Sequence, residues 1–202
     1  MERKFAWVGL AIIVTLGIAI GVAVLLRDHS YRGVLYNPAV TAYDFQLESG
    51  NGEQVSLHGF RGKLVLLFFG FTSCTDICPT TLAILSRLHT ELGEQAAQVQ
   101  VIYITVDPQR DTPQRIQEYV TQFDPAFIGL SGSEETLQPV WDAFGVGRKI
   151  EPAPSGQSQD YEVTHSTRLF LIDKDGSLYL SYAYGTPLED ILQDVQLLIG
   201  RK

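Results

Sequence analysis

Lys63 to Phe69, KLVLLFF, is a continuous apolar run bounded by Gly62 and Gly70, and the hexapeptide C-T-D-I-C-P starts four residues after Gly70. A run this short and this uniform reads as a strand buried on both faces, so it predicts the central strand of a covered sheet. A turn leading from such a strand into a helix presents its side chains at the sheet edge. Cys74 and Cys78 are the two cysteines of the chain, and they sit in that turn.

The remaining pattern supplies the layers around this strand. Phe45 to Leu57, FQLESGNGEQVSL, alternates on both sides of Gly50-Asn51-Gly52 and predicts a hairpin. A helix is expected over Thr80–Leu92, where Leu82, Leu85 and Leu88 recur at three-residue steps, and Val99–Val106 reads as a second buried strand. Asp111-Thr112-Pro113 resembles a helix start, and Ser133 caps a further helix running to Phe144. Residues 145–162, rich in Gly, Pro, Ser and Gln, read as an exposed excursion. The end reads as a strand Arg168–Ile172, a turn through Gly176, a strand Leu178–Tyr182 and a helix Pro187–Ile199. The order βαβα followed by ββα is that of a thioredoxin-like α/β fold: a central sheet flanked by helices, with an N-terminal hairpin extension.

Phe5 to Leu26 holds 22 residues without a charge, enough for the roughly 20-residue span of a bilayer helix. The alternative is a cleaved signal peptide ending near Gly21 and Ala23, but apolar residues continue to Leu26. Arg3 and Lys4 face Arg27 and Arg32 across the run, so the very short tail decides for an N-terminus left inside. The expected organisation is a cytoplasmic tail 1–4, a transmembrane anchor 5–26, a tether 27–40 and a domain 41–202. The simplest placement is a single-pass protein of a bacterial inner membrane with its domain in the periplasm. A net charge of −8, with no basic stripe, argues against a nucleic-acid partner.

Cysteines four apart share one face of a helical turn, so their sulfurs can meet around a metal or bond to each other. A disulfide closing so small a loop removes little unfolded-state entropy, which weakens a purely stabilising role. Pro79 belongs in a first helical turn and puts Cys78 at a helix N-terminus, where a thiolate is favoured and its pKa is expected to fall. Of the four histidines, His29, His58 and His89 have no companion ligand at a metal spacing. His165, in V-T-H-S-T before the strand Arg168–Ile172, is expected against the cysteine turn. Two thiolates and one imidazole suit three-coordinate Cu(I), whereas structural zinc normally takes four protein ligands. On chemistry alone, a redox thiol pair and a copper site stand level.

The segments F-F-G-F-T-S-C-T-D-I-C-P-T (68–80), I-T-V-D-P-Q-R-D-T-P (104–113), G-L-S-G-S (129–133) and V-T-H-S-T (163–167) together resemble the Sco (SenC) family of copper-binding assembly proteins. The likeness covers the anchor and the domain from residue 40 onward. It implies copper, as Cu(I) and in a further state Cu(II), bound by Cys74, Cys78 and His165, with the family's motif Asp at Asp76. Two departures are Thr164, where many members carry Asp before the histidine, and Thr75 in place of a frequent Pro. The resemblance implies copper delivery to the binuclear centre of cytochrome c oxidase subunit II, with other periplasmic copper carriers as partners. The alternatives are a thiol-disulfide oxidoreductase that reduces that subunit's cysteines, and a redox sensor.

Overall fold

The computed structural model describes Thr15 and residues 30–152 and 161–201. The anchor and the tail before it lie outside the described residues except for Thr15, and among the described residues no helix is long and apolar enough to cross a membrane. The elements below all belong to the compact unit Arg32–Lys202. In chain order its first half forms β1 (Val34–Thr41), β2 (Gln46–Ser49), β3 (Gln54–Ser56), β4 (Leu64–Gly70), α1 (Ile77–Leu92), β5 (Val99–Thr105) and α2 (Pro113–Thr121). Then follow β6 (Ile128–Ser131), α3 (Glu134–Ala143), β7 (Arg148–Pro152), β8 (Tyr161–His165), β9 (Arg168–Ile172), β10 (Ser177–Ala183) and α4 (Leu188–Gly200).

Every residue of β4 is buried, as expected of a strand covered on both faces. It pairs in parallel with β5, from Leu64 opposite Val99 to Gly70 opposite Thr105, and antiparallel with β9. The main sheet runs β1-β10-β9-β4-β5-β6-β2-β3, a mixed α/β sheet with β4 and β5 at its middle. On one face Val65, Leu67, Phe69, Ile102 and Ile104 pack with Leu137, Val140 and Trp141 of α3. The Trp141 indole N–H donates to the Thr105 carbonyl at 3.1 Å, so the ring closes the core without losing its hydrogen bond. Leu82, Leu85 and Leu88 of α1 are fully buried, and burying each such side chain contributes roughly 1.5–3 kcal/mol.

Local side-chain caps set two of the four helix starts among the described residues. Thr112 accepts from the Arg115 amide and Ser133 from the Thr136 amide, the two N-caps expected at those positions. Three readings change. Residues 34–41, most of which were assigned to the tether, form β1, which pairs antiparallel with β10 across a register shift between Leu35 and Val40. The strand is exposed at almost every position, so no apolar period marks it. The start of β1 is fixed from outside the strand: the buried Asp194 carboxylate accepts from the amides of Arg32 and Gly33 at 2.9–3.0 Å. β6 is only four residues long, too short for a periodic signal, and adds a third parallel strand beside β5. The excursion at 145–162 contains β7 and the start of β8, a two-stranded ribbon separate from the main sheet.

Candidate metal centre

The chain leaves β4 at Gly70, turns through Phe71–Thr75 and enters α1 with Asp76 at its N-cap position. Cys74 lies in the turn, half-buried, and Cys78 lies one turn further on, fully buried; both are free thiols. The Cys78 amide N–H donates to Sγ of Cys74 at 3.5 Å. The sulfur that receives the positive end of the helix is therefore Cys74, not Cys78 as the sequence implied. Cys78 departs in the opposite direction from that expectation: burial pushes its thiol up to about 12, against a smaller pull downward from the Tyr103 hydroxyl and the Phe71 backbone. Removal from water penalises the thiolate more than the helix end favours it.

His165 closes β8, on the same inward face of the ribbon as Tyr161 and Val163. Its ring packs edge to face on Phe71 with 5.8 Å between centroids, and its Nδ1–H donates to the Ser166 carbonyl at 2.9 Å. A carbonyl only accepts, so this bond fixes the proton on Nδ1 and leaves Nε2 with a free lone pair, the usual arrangement of a metal-binding imidazole. Burial holds its pKa below the ordinary 6.5, and the Ser166 carbonyl opposes this more weakly, so the ring is neutral at pH 7.

The cysteine turn and the ribbon form two walls of a cleft of about 430 Å³ lined by Phe71, Cys74, Asp76, Arg110, Tyr161 and Thr164, among others. The structure thus brings the two cysteines together and sets the histidine's strand opposite them. Among the described residues no three His, Cys, Asp or Glu side chains stand close enough to enclose an ion. His165 is held on Phe71 instead, and Asp76 and Thr164 lie along the cleft walls.

Sequence reasoning read Asp111 as part of a helix start and gave the charged residues of V-D-P-Q-R-D-T-P no role in the site, yet they organise the cleft. Asp107 is fully buried at the end of β5. One of its carboxylate oxygens accepts from Arg110 Nε, and the other accepts from the Tyr161 hydroxyl at 2.5 Å. The Arg110 guanidinium stacks 4.0 Å over the Tyr161 ring, and its Nη1 donates to the Tyr161 carbonyl at 3.3 Å. These contacts latch the far end of the ribbon to the sheet. Asp111, also fully buried, accepts from the Thr72 amide at 3.0 Å and from the hydroxyls of Thr72 and Thr105, which ties the cysteine turn to the end of β5. Burial raises its pKa and these hydrogen bonds work against the rise. The dense Asp, Arg and Asp spacing was the available signal, but only the fold shows that Tyr161 completes it.

A thioredoxin-like α/β domain that presents two thiols at a helix N-terminus, with a neutral imidazole on a facing ribbon, defines a class of thiol and soft-metal proteins. A family model described as SCO1/SenC matches residues 35–200, and the chain belongs to that family. It is 39% identical over 140 residues to the SCO2-like protein RP587 of Rickettsia prowazekii, spanning 69% of this chain and 67% of the relative. The structure of Bradyrhizobium japonicum ScoI with copper bound superposes with a TM-score of 0.71 at 34% identity, over 79% of this chain and 99% of that one. BsSco, described with a disulfide switch and as a member of the Sco family of cytochrome c oxidase assembly proteins, superposes with a TM-score of 0.63 at 26% identity, over 87% and 100%.

Proposed function

We propose that this chain binds Cu(I) between Cys74, Cys78 and His165 and supplies it to the assembly of the binuclear copper centre of cytochrome c oxidase subunit II. It does so from the periplasmic face of a bacterial inner membrane, anchored by residues 5–26. The observation that carries the reading is the pairing of two thiols, joined by the Cys78 N–H to Cys74 Sγ contact, with a facing imidazole whose Nε2 is free. Two soft sulfurs and one borderline nitrogen are the donor set that Cu(I) prefers over harder divalent ions. The copper-bound ScoI structure and the oxidase-assembly description of BsSco support the cargo and the pathway.

The half-buried Cys74 is the accessible sulfur and meets the ion first. Cys78 joins when its thiol releases the proton that burial otherwise holds on it. Completing the set requires the ribbon to carry His165 off Phe71 toward the sulfurs. The neutral ring makes that ligation possible without a prior loss of charge.

The adjacency of the two sulfurs also favours a second reading, a thiol-disulfide oxidoreductase that reduces the cysteines of the same subunit. His165→Ala separates the two, because exchange between sulfurs needs no imidazole. Loss of oxidase assembly in cells carrying His165→Ala, with thiol cycling intact, supports copper delivery. Assembly that survives in His165→Ala but fails in Cys74→Ala and Cys78→Ala establishes the reductase reading.

A further inference from the structure

Gly70 ends β4 without a side chain, and two polar atoms from other elements occupy the space beside it. A Cβ at this position would stand 2.2 Å from the Tyr103 hydroxyl oxygen and 2.8 Å from Sγ of Cys78. Tyr103 comes from β5, opposite Phe68 in the β4–β5 register, and is fully buried. Its hydroxyl is one of the few buried polar atoms that have no hydrogen-bond partner among the described residues. Native interiors rarely leave a buried hydroxyl unpaired, and each such group calls for an explanation.

A protonated thiol is a poor acceptor, as is a disulfide sulfur. A sulfur that has exchanged its proton for a metal ion bears negative charge, and hydrogen bonds to charged acceptors are about twice as strong as neutral ones. The hydroxyl next to Cys78 therefore has only a weak partner in the free protein, the protonated sulfur, and gains a strong one when that sulfur becomes a ligand. We propose that Tyr103 is a positioning residue for metal capture, its hydroxyl donating to Cys78 Sγ in the metal-bound form and favouring that form over the free dithiol. The proposal rests on Cys78 being a ligand, as read above. Tyr103 touches no ion itself and acts through the sulfur.

The test uses the full-length chain, reduced, as the parent and as Tyr103→Phe, which removes the oxygen and keeps the ring. Two probes are measured by chelator competition: Cu(I), and Ag(I), which needs only the two sulfurs. Metal-free Tyr103→Phe is expected to be as stable as the parent or more so, because it loses an unpaired oxygen. Its affinity for both ions is expected to fall on the order of tenfold or more, the effect of one hydrogen bond to a charged group, with one ion still bound per chain. Unchanged Ag(I) affinity overturns the proposal, and so does a loss of stability in the metal-free variant, which would mean that the hydroxyl already has a partner. A parent that binds Ag(I) but not Cu(I) refutes the copper reading alone, and the Ag(I) comparison still decides the role of Tyr103. A parent that binds neither ion overturns both.

Discussion

Replacing Arg110 with alanine strips a buried carboxylate of its counter-ion, and the size of the loss follows from the geometry. Asp107 is fully buried, and among the described residues one of its oxygens is held by Arg110 alone while the other keeps the Tyr161 hydroxyl at 2.5 Å. Removing one partner of a buried pair typically costs about 3–5 kcal/mol, and the surviving Tyr161 bond places this case near 3 kcal/mol. Loss of the guanidinium stacked 4.0 Å over Tyr161 adds about 0.5–1 kcal/mol. The expected destabilisation is therefore about 3–4 kcal/mol, or a fall in Tm of roughly 6–16 °C at the ~2–4 °C per kcal/mol usual for domains of 150–250 residues. Urea unfolding of the reduced, metal-free chain measures it. The reasoning is about a stranded charge, so the decisive comparison repeats Arg110→Ala in an Asp107→Asn background, where no charge is left to strand. There the cost should shrink by at least ~1.5 kcal/mol. Equal costs in the two backgrounds, within ~0.5 kcal/mol, would falsify the latch as an electrostatic device.

Three further outcomes follow from the same structure. Alkylation of the reduced chain at pH 8, read by mass spectrometry, should mark Cys74 well before Cys78, whose buried thiol lies near pKa 12; equal labelling would contradict that burial. Gly70→Ala forces a methyl group to within 2.2 Å of the Tyr103 oxygen, so it should destabilise by about 1–3 kcal/mol in thermal unfolding, the usual range for overpacking. His165 has its pKa lowered from 6.5, so between 6.5 and its folded value the unfolded chain binds the proton and the folded one does not. Stability should consequently fall as pH drops through that window, and His165→Gln should flatten that part of the curve; an unchanged slope would show that the ring is not shielded.

The sequence was most informative where a local rule acts alone. Leu64 to Phe69 became the buried body of β4 because only the centre of a covered sheet accommodates six such residues in a row, and Thr112 and Ser133 cap their helices because each hydroxyl meets an amide three residues on. It was least informative where a long-range contact decides. The exposed residues of β1 carry no period, and their start is fixed by Asp194 from the far end of the chain. The pairing of β7 with β8 hides in a stretch whose composition reads as loop. In the site, the two cysteines and the histidine were visible as residue types. The order of their environments was not, since spacing shows that Cys78 adjoins a helix end but not that the surrounding core buries it completely. Tyr161 and Tyr103 carry no motif of their own, and each acquires a role only through Asp107 or Cys78.

The proposed copper site joins three side chains of this molecule, Cys74, Cys78 and His165, around one ion. X-ray absorption on the Cu(I)-loaded, reduced full-length chain tests it most directly, with copper content measured on the same sample. The expected result is one Cu(I) per chain with a shell of two sulfurs and one nitrogen, the nitrogen lost in His165→Ala and the shell dismantled in Cys74→Ala. A parent shell without nitrogen, or the same shell retained in Cys74→Ala, contradicts the account.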